Sequence, residues 1–201
     1  MPEGDRVRAF LALPRDEMWV DSARSLVDRL RSSLPDASWT KAESWHLTLK
    51  FLGEVSRSAL DRFGTSIAEA CAEAVAGEIL ADGALVFPPR GEARVLGVGF
   101  ASNEALDSVV RVALAADRAA APLGIETERR EFRPHVTLAR LRRRWPQEAV
   151  ASFRETVGAW RFPAWRARSC VLFESRLGPG GAAHTPLYEW SFTGGPRGVR
   201  A

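Results

Sequence analysis

The sequence predicts a mixed α and β fold built as two similar lobes that face one groove. Helix-like and strand-like apolar spacings alternate along most of the 201 residues. Two of only three histidines stand in the same local pattern, His46-Leu47-Thr48-Leu49 and His135-Val136-Thr137-Leu138. The two copies lie nearly half the chain apart, with helix and strand signals between them. Outside the motif the halves share too little to demonstrate a duplication, so the two-lobe symmetry is an expectation.

The elements follow in order. Residues 7–13 read as a buried strand closed by Pro14. Trp19, Ala23, Leu26, Val27, Leu30 and Leu34 recur at helical spacing, and Pro35 ends that helix. A short strand at 38–40 precedes the first motif strand, 45–52, which is expected to stop at Gly53. Leu60, Phe63, Ile67, Cys71 and Ala74 form the stripe of a second helix. Strands at 79–87 and 94–101 flank the turn Pro88-Pro89-Arg90-Gly91.

A third helix over 106–121 presents Leu106, Val109, Val110, Ala113 and Leu114, and the second motif strand is expected at 134–141. A short helix at 147–157 leads to strands at 164–174 and 187–192. Between these strands Gly178-Pro179-Gly180-Gly181 reads as a mobile loop, and residues 194–201 read as a frayed tail. The chain is expected to form one bilobal domain, 1–201.

Composition narrows the function classes. Hydrophobic residues make up 46% of the chain, enough for a sizeable core, so disorder is not the default. A formal charge of +3, carried mostly by arginine, permits a phosphate-bearing partner without requiring one. Cys71 and Cys170 sit in no CxxC or metal-ligand cluster and read as small buried hydrophobes. No apolar run is long enough for a signal-peptide core or a membrane span, so a cytoplasmic protein without membrane contact is expected.

In a strand, residues i and i+2 share a face, so each motif histidine points the same way as its threonine. Histidine titrates near neutrality, so one copy can accept a proton while the other donates one. Threonine hydroxyls can hold the non-bridging oxygens of a phosphate. Two imidazoles on opposite sides of phosphorus suit in-line displacement, in which one activates water and the other protonates the leaving oxygen. That chemistry fits a strained phosphodiester with an alkoxide leaving group, and it calls for no metal and no cofactor. No acidic or cysteine ligands accompany the histidines at metal-binding spacing. Which histidine plays which part is left open by the residues alone.

The segments Trp45-His46-Leu47-Thr48-Leu49-Lys50-Phe51-Leu52-Gly53-Glu54 and Phe132-Arg133-Pro134-His135-Val136-Thr137-Leu138-Ala139-Arg140 resemble the paired motifs of the two-histidine (2H) phosphoesterase superfamily. Within it the chain is most similar to the bacterial and archaeal RNA 2′,3′-cyclic phosphodiesterases, once named 2′-5′ RNA ligases. The segments 7–14 and 172–178 are similar as well, so the resemblance spans nearly the whole chain.

The resemblance implies an α+β bilobal fold, two antiparallel sheets backed by helices around a central groove. It also implies hydrolysis of an RNA-terminal 2′,3′-cyclic phosphate to a 2′-phosphate. His46 would be the proton donor to the leaving 3′ oxygen, His135 the proton acceptor from water, and Thr48 and Thr137 the phosphate ligands. The alternatives are 2′-5′ ligation, hydrolysis of small cyclic nucleotides, or an RNA-end-binding module without turnover.

Further substrate contacts are expected from Arg140, Lys50, Arg133, Phe10 and His184. Alternation puts Lys50 and Arg133 on the motif face and Arg140 on the opposite one, whereas the resemblance favours Arg140 in the groove. The bland reading of Phe10 is a core residue of the first strand. His184 departs from the resemblance, since a tyrosine often follows the Gly-rich turn in the family. An imidazole there still offers a ring for stacking on a base. The partner is thus an RNA or nucleotide with a 2′,3′-cyclic phosphate end, and a monomer is the default.

Overall fold

The computed structural model describes residues 6–178 and 181–193. β1 (Arg6–Leu13) buries nearly every residue after Arg8 and leads to α1 (Glu17–Ser33). Asp16 caps that helix, accepting the amides of Met18 and Trp19. Its other carboxylate oxygen takes the amide of Arg166 and, at 2.7 Å, the Arg166 guanidinium, tying the helix start to a strand 150 residues later. The predicted stripe of α1 is buried from Trp19 to Leu30.

The short β2 (Ser38–Trp39) is followed by β3 (Leu47–Ser56) and α2 (Arg57–Ala72). Next come β4 (Gly77–Ile79), β5 (Ala81–Phe87), β6 (Val95–Phe100) and α3 (Glu104–Ala120). The chain continues through β7 (His135–Arg140), α4 (Gln147–Ala159), β8 (Trp165–Ala167), β9 (Ser169–Gly178) and β10 (Gly181–Ser191).

Two four-stranded antiparallel sheets result, ordered β10-β9-β1-β3 and β2-β7-β6-β5, with β4 and β8 pairing apart. Each motif lies on one sheet, His46 just before β3 of the first and His135 at the start of β7 of the second. α2 and α3 pack together and on β3, while α4 packs on β5 and meets α1. A continuous apolar core runs through both halves, with Trp19, Trp165, Phe63 and Phe153 fully buried in it. No helix of the described residues is long and apolar enough to cross a membrane.

Several expectations shift. β3 does not stop at Gly53 but passes through it to Ser56, because Gly53 adopts φ +67° at a bulge opposite Ala9 and Phe10. The strand expected over 164–174 is two strands, and the last strand reaches back to Gly181, which pairs with Gly178 as β10 runs antiparallel to β9. The third helix turns Val112 and Ala116 inward and leaves Leu114 45% exposed, since it packs on α2, β3 and β4 at once. Cys71 and Cys170 are both buried as expected, yet their sulfurs meet at 3.1 Å, which their spacing in sequence concealed. Residues 179–180 and the tail expected over 194–201 lie outside the described residues.

β6 and β7 come unusually close at Gly97, where an added Cβ would stand 2.5 Å from the Val136 carbonyl oxygen. Gly97→Ala must push the second motif strand away from its neighbour, a clash expected to cost roughly 1–3 kcal/mol. At ~2–4 °C per kcal/mol for a chain of this size, thermal unfolding of the variant should fall by several degrees. An unchanged Tm would contradict this close approach.

Candidate active site

Each motif strand carries one extra residue immediately after its threonine. In β3, Ala12 pairs with Thr48 and Leu11 with Lys50, which leaves Leu49 unmatched. In β7, Gly97 pairs with Thr137 and Leu96 with Ala139, which leaves Leu138 unmatched. A bulge of this kind breaks the two-residue alternation, so two successive side chains turn to the same side. Both strands then read alike: the threonine faces the cleft, two residues face the core, and the next faces the cleft again. Leu49 and Lys50 are 5% and 3% exposed before Phe51 at 57%, and Leu138 and Ala139 are wholly buried before the exposed Arg140.

The four motif side chains, Phe51 and Arg140 all line one cleft of about 600 Å³ between the sheets. His135 donates from Nδ1 to the Arg133 carbonyl at 2.8 Å. The Ser44 backbone, likewise two residues upstream of its histidine, favours the charged form of His46. A carbonyl only accepts, so the Nδ1 of His135 keeps the proton and Nε2 of the neutral ring is left with a lone pair. Phe10 stacks on the His46 ring at 4.6 Å, and His184 meets that ring edge-on at 5.3 Å. On the other side, the edge of Phe87 contacts the His135 ring at 5.5 Å.

Burial above all, and then the neighbouring His184, push His46 down to about 4. Burial also lowers His135, with the Arg140 charge adding to it, although the bond to Arg133 opposes the shift. At neutral pH both rings are therefore neutral in the free protein. The cationic groups on the cleft walls are Arg8, Lys41 and Arg140, and no carboxylate stands among the described residues that line it. Such a cleft attracts an anion, and an anion bound there would favour the imidazolium form of either histidine.

The family model described as LigT-like phosphoesterase matches this chain twice, over residues 16–96 and 100–184, one match for each motif. The chain belongs to the LigT-like phosphoesterases. Curated relatives named RNA 2′,3′-cyclic phosphodiesterase include one from Methanothermobacter thermautotrophicus, 28% identical over 90% of this chain and 97% of that protein. Another, from Archaeoglobus fulgidus, is 29% identical over 91% of this chain and 97% of its own length. Among solved structures, TT0787 of Thermus thermophilus superposes with a TM-score of 0.71 at 23% identity, covering 93% and 98% of the two chains. Escherichia coli LigT gives 0.68 at 20% identity, over 94% and 98%. These structures share the α+β architecture of two antiparallel sheets described above. Complexes of the E. coli protein with phosphate and with 3′-AMP have been solved.

Within this LigT-like frame the remaining expected contacts divide. Lys50 is carried off the cleft by the Leu49 bulge, which sends it to the core face. There its Nζ lies 2.6 Å from Asp117 and donates to the Glu126 carbonyl at 3.0 Å, so it fastens β3 to the segment after α3. Arg133 also misses the cleft. It precedes β7, where strand alternation does not apply, and its exposed side chain lies near Glu131 while only its carbonyl serves the site. Phe10 is 3% exposed and lies against His46 and Phe173, which leaves little ring for a base.

Arg140 reaches the cleft wall because the Leu138 bulge reverses the face that simple alternation assigns it. His184 lies within β10, and its buried Nδ1 has no hydrogen-bond partner among the described residues. Sequence reasoning missed Arg8, Trp39, Lys41, Phe51 and Leu177 as lining residues. Phe51 had one available signal: it follows His46 by the same interval at which Arg140 follows His135.

The lowered His46 value is open to a direct check. In a proton NMR titration of the free protein, its ring resonances should shift with a midpoint near 4. Saturation with inorganic phosphate should raise that midpoint, since an anion stabilises the charged ring. A midpoint near the ordinary ~6.5 in the free protein would contradict the packing of His46 against Phe10 and His184.

Proposed function

We propose that this LigT-like phosphoesterase hydrolyses an RNA-terminal 2′,3′-cyclic phosphate to a 2′-phosphate without a metal ion. The observation that carries the reading is the convergence of two His-Thr pairs from separate sheets on a cleft walled by cations, with no carboxylate among the described residues that line it. Curated relatives of nearly the same length bear that activity in their names. The substrate class fits the wall charge, and a cytoplasmic setting accords with an RNA substrate.

On this reading Thr48 and Thr137 donate to the non-bridging phosphate oxygens from opposite walls. His135 accepts a proton at Nε2 from the attacking water, and the water oxygen bonds to phosphorus as the bond to the 3′ oxygen breaks. His46 delivers a proton to that oxygen, which leaves as the 3′ hydroxyl while the phosphate stays on the 2′ oxygen. The product leaves His46 neutral and His135 charged, so one proton exchange with solvent resets the pair. The substrate phosphate supplies the negative field that His46 needs to hold its proton before the chemistry. One side chain takes a proton and the other gives one, and no group of three or more His, Cys, Asp or Glu among the described residues is placed to hold a metal.

A short oligoribonucleotide with a 2′,3′-cyclic phosphate end, incubated with the protein and EDTA, provides the test. Conversion to the 2′-phosphate should proceed at the rate seen without EDTA. His46→Ala and His135→Ala should each lose on the order of 10²–10⁴-fold in rate, the usual yield of one positioned acid or base. Binding of the oligonucleotide with its cyclic end left intact would replace the hydrolase reading with that of an RNA-end-binding module. Loss of activity in EDTA would remove the metal-independent part.

A further inference from the structure

The second motif strand runs directly into a cluster of arginines. Arg140, the last residue of β7, lines the cleft. Leu141 is buried, Arg142, Arg143 and Arg144 are all exposed, and Trp145 is buried again. Both ends of this short loop are fixed. The Leu141 amide donates to the Arg94 carbonyl at 2.9 Å, and the Trp145 indole donates to the Asp36 carbonyl at 3.2 Å. Extended chain advances at most about 3.6 Å per residue, so the Cα of Arg144 stands no farther than about 14 Å from that of Arg140.

None of the three guanidinium groups has an ion-pair or hydrogen-bond partner among the described residues. Glu92 shares a surface hollow with Arg144, yet its carboxylate is held by Arg94 at 2.7 Å. Other arginines near the cleft are engaged with carboxylates. Arg133, before β7, lies 4.0 Å from Glu131. On the opposite sheet Arg176 stands in sequence between the lining residues Ser175 and Leu177, but it donates to Glu174 at 2.7 Å. Arg57 lies 3.6 Å from the same carboxylate. Three adjacent like charges repel one another, so a fixed loop that holds them together without a counter-charge favours an anion arriving from outside.

We propose that Arg142, Arg143 and Arg144 form a track for the RNA strand upstream of the terminal cyclic phosphate, continuing the charged wall of the cleft outward from Arg140. The assignment rests on the reading of the cleft as a site for an RNA end. It deepens that reading by naming the substrate class, a polynucleotide rather than a free cyclic nucleotide. The loop follows a cleft residue directly, which favours the strand already anchored in the cleft over an unrelated anionic partner. Phosphates are common to every sequence, so the track adds affinity that falls with salt and selects no base. A cyclic mononucleotide has no phosphate beyond the one in the cleft and does not meet the track.

Two substrates test the track: adenosine 2′,3′-cyclic phosphate, and a decaribonucleotide with the same cyclic end. Each is given to the wild type and to a triple variant carrying Arg142→Gln, Arg143→Gln and Arg144→Gln. On the decaribonucleotide at low salt the variant should lose about tenfold in kcat/KM, chiefly through KM. The slope of log kcat/KM against log salt should flatten by about 0.7 for each phosphate contact removed. On the mononucleotide the two proteins should be equal, which also reports that the variant is folded. Equal deficits on both substrates, or none on the decaribonucleotide, would overturn the track.

A binding arm separates this inference from the hydrolase reading. In calorimetry at low salt, the triple variant should bind a decaribonucleotide ending in a 2′-phosphate about tenfold more weakly than the wild type, and adenosine 2′-phosphate equally well. Equal binding of the decaribonucleotide by the two proteins would overturn the track. A wild-type protein that leaves both cyclic ends intact but shows the binding difference would sink the hydrolase reading while upholding the track.

Discussion

The bulge after each threonine is the constraint on which the rest of the cleft depends. A regular strand would continue to alternate, sending Lys50 into the cleft and Arg140 away from it. The unmatched Leu49 and Leu138 instead insert two core-facing residues, and each strand returns to the cleft with a different side chain. On the inner face the same shift gives Leu49 and Leu138 to the core and moves the Lys50 ammonium to the waiting Asp117 carboxylate. Gly97 answers the bulge in β7 by coming closer to it than any side chain would allow. The site is thus anchored by packing on its far side rather than by loops.

Electrostatics follows from that placement. Aromatic burial of His46 favours a neutral ring in the free protein, so the acid form must be induced by the ligand. The cations on the cleft walls, with no carboxylate among the described residues that line it, set the sign of the ligand that can do so. His184 adds a second imidazole against His46, and both cannot comfortably hold a proton in a partly buried contact. A cleft that is neutral at its two histidines and positive on its walls favours an anion.

Much of this was legible in the sequence because its signals are periodic or duplicated. The stripe of α1, the stripe of α2 and the repeated His-x-Thr-Leu each report local geometry, and the structure places them as that geometry requires. The two sheets came from resemblance rather than from spacing, and the family match and superposed structures bear them out. What stayed hidden depends on register between strands distant in sequence. Neither bulge leaves a compositional trace, so Lys50 and Arg140 were each assigned to the wrong face by alternation alone. Arg133 failed for a related reason, since a strand that begins at His135 imposes no face on a residue before it. The contact between Cys71 and Cys170 likewise depends on how α2 docks on β9 and β10, which no local pattern encodes.

The central claim is that the two half-sites act on a single phosphorus atom. A crystal structure with orthovanadate and a nucleoside bound would test it most directly, because vanadate adopts the five-coordinate geometry of in-line displacement. The account predicts one vanadium with the Thr48 and Thr137 hydroxyls on its equatorial oxygens. It also predicts His46 and His135 at opposite apical oxygens, with the nucleoside on the His46 side. Vanadate held by one sheet alone, or both histidines on the same side of it, would contradict the account.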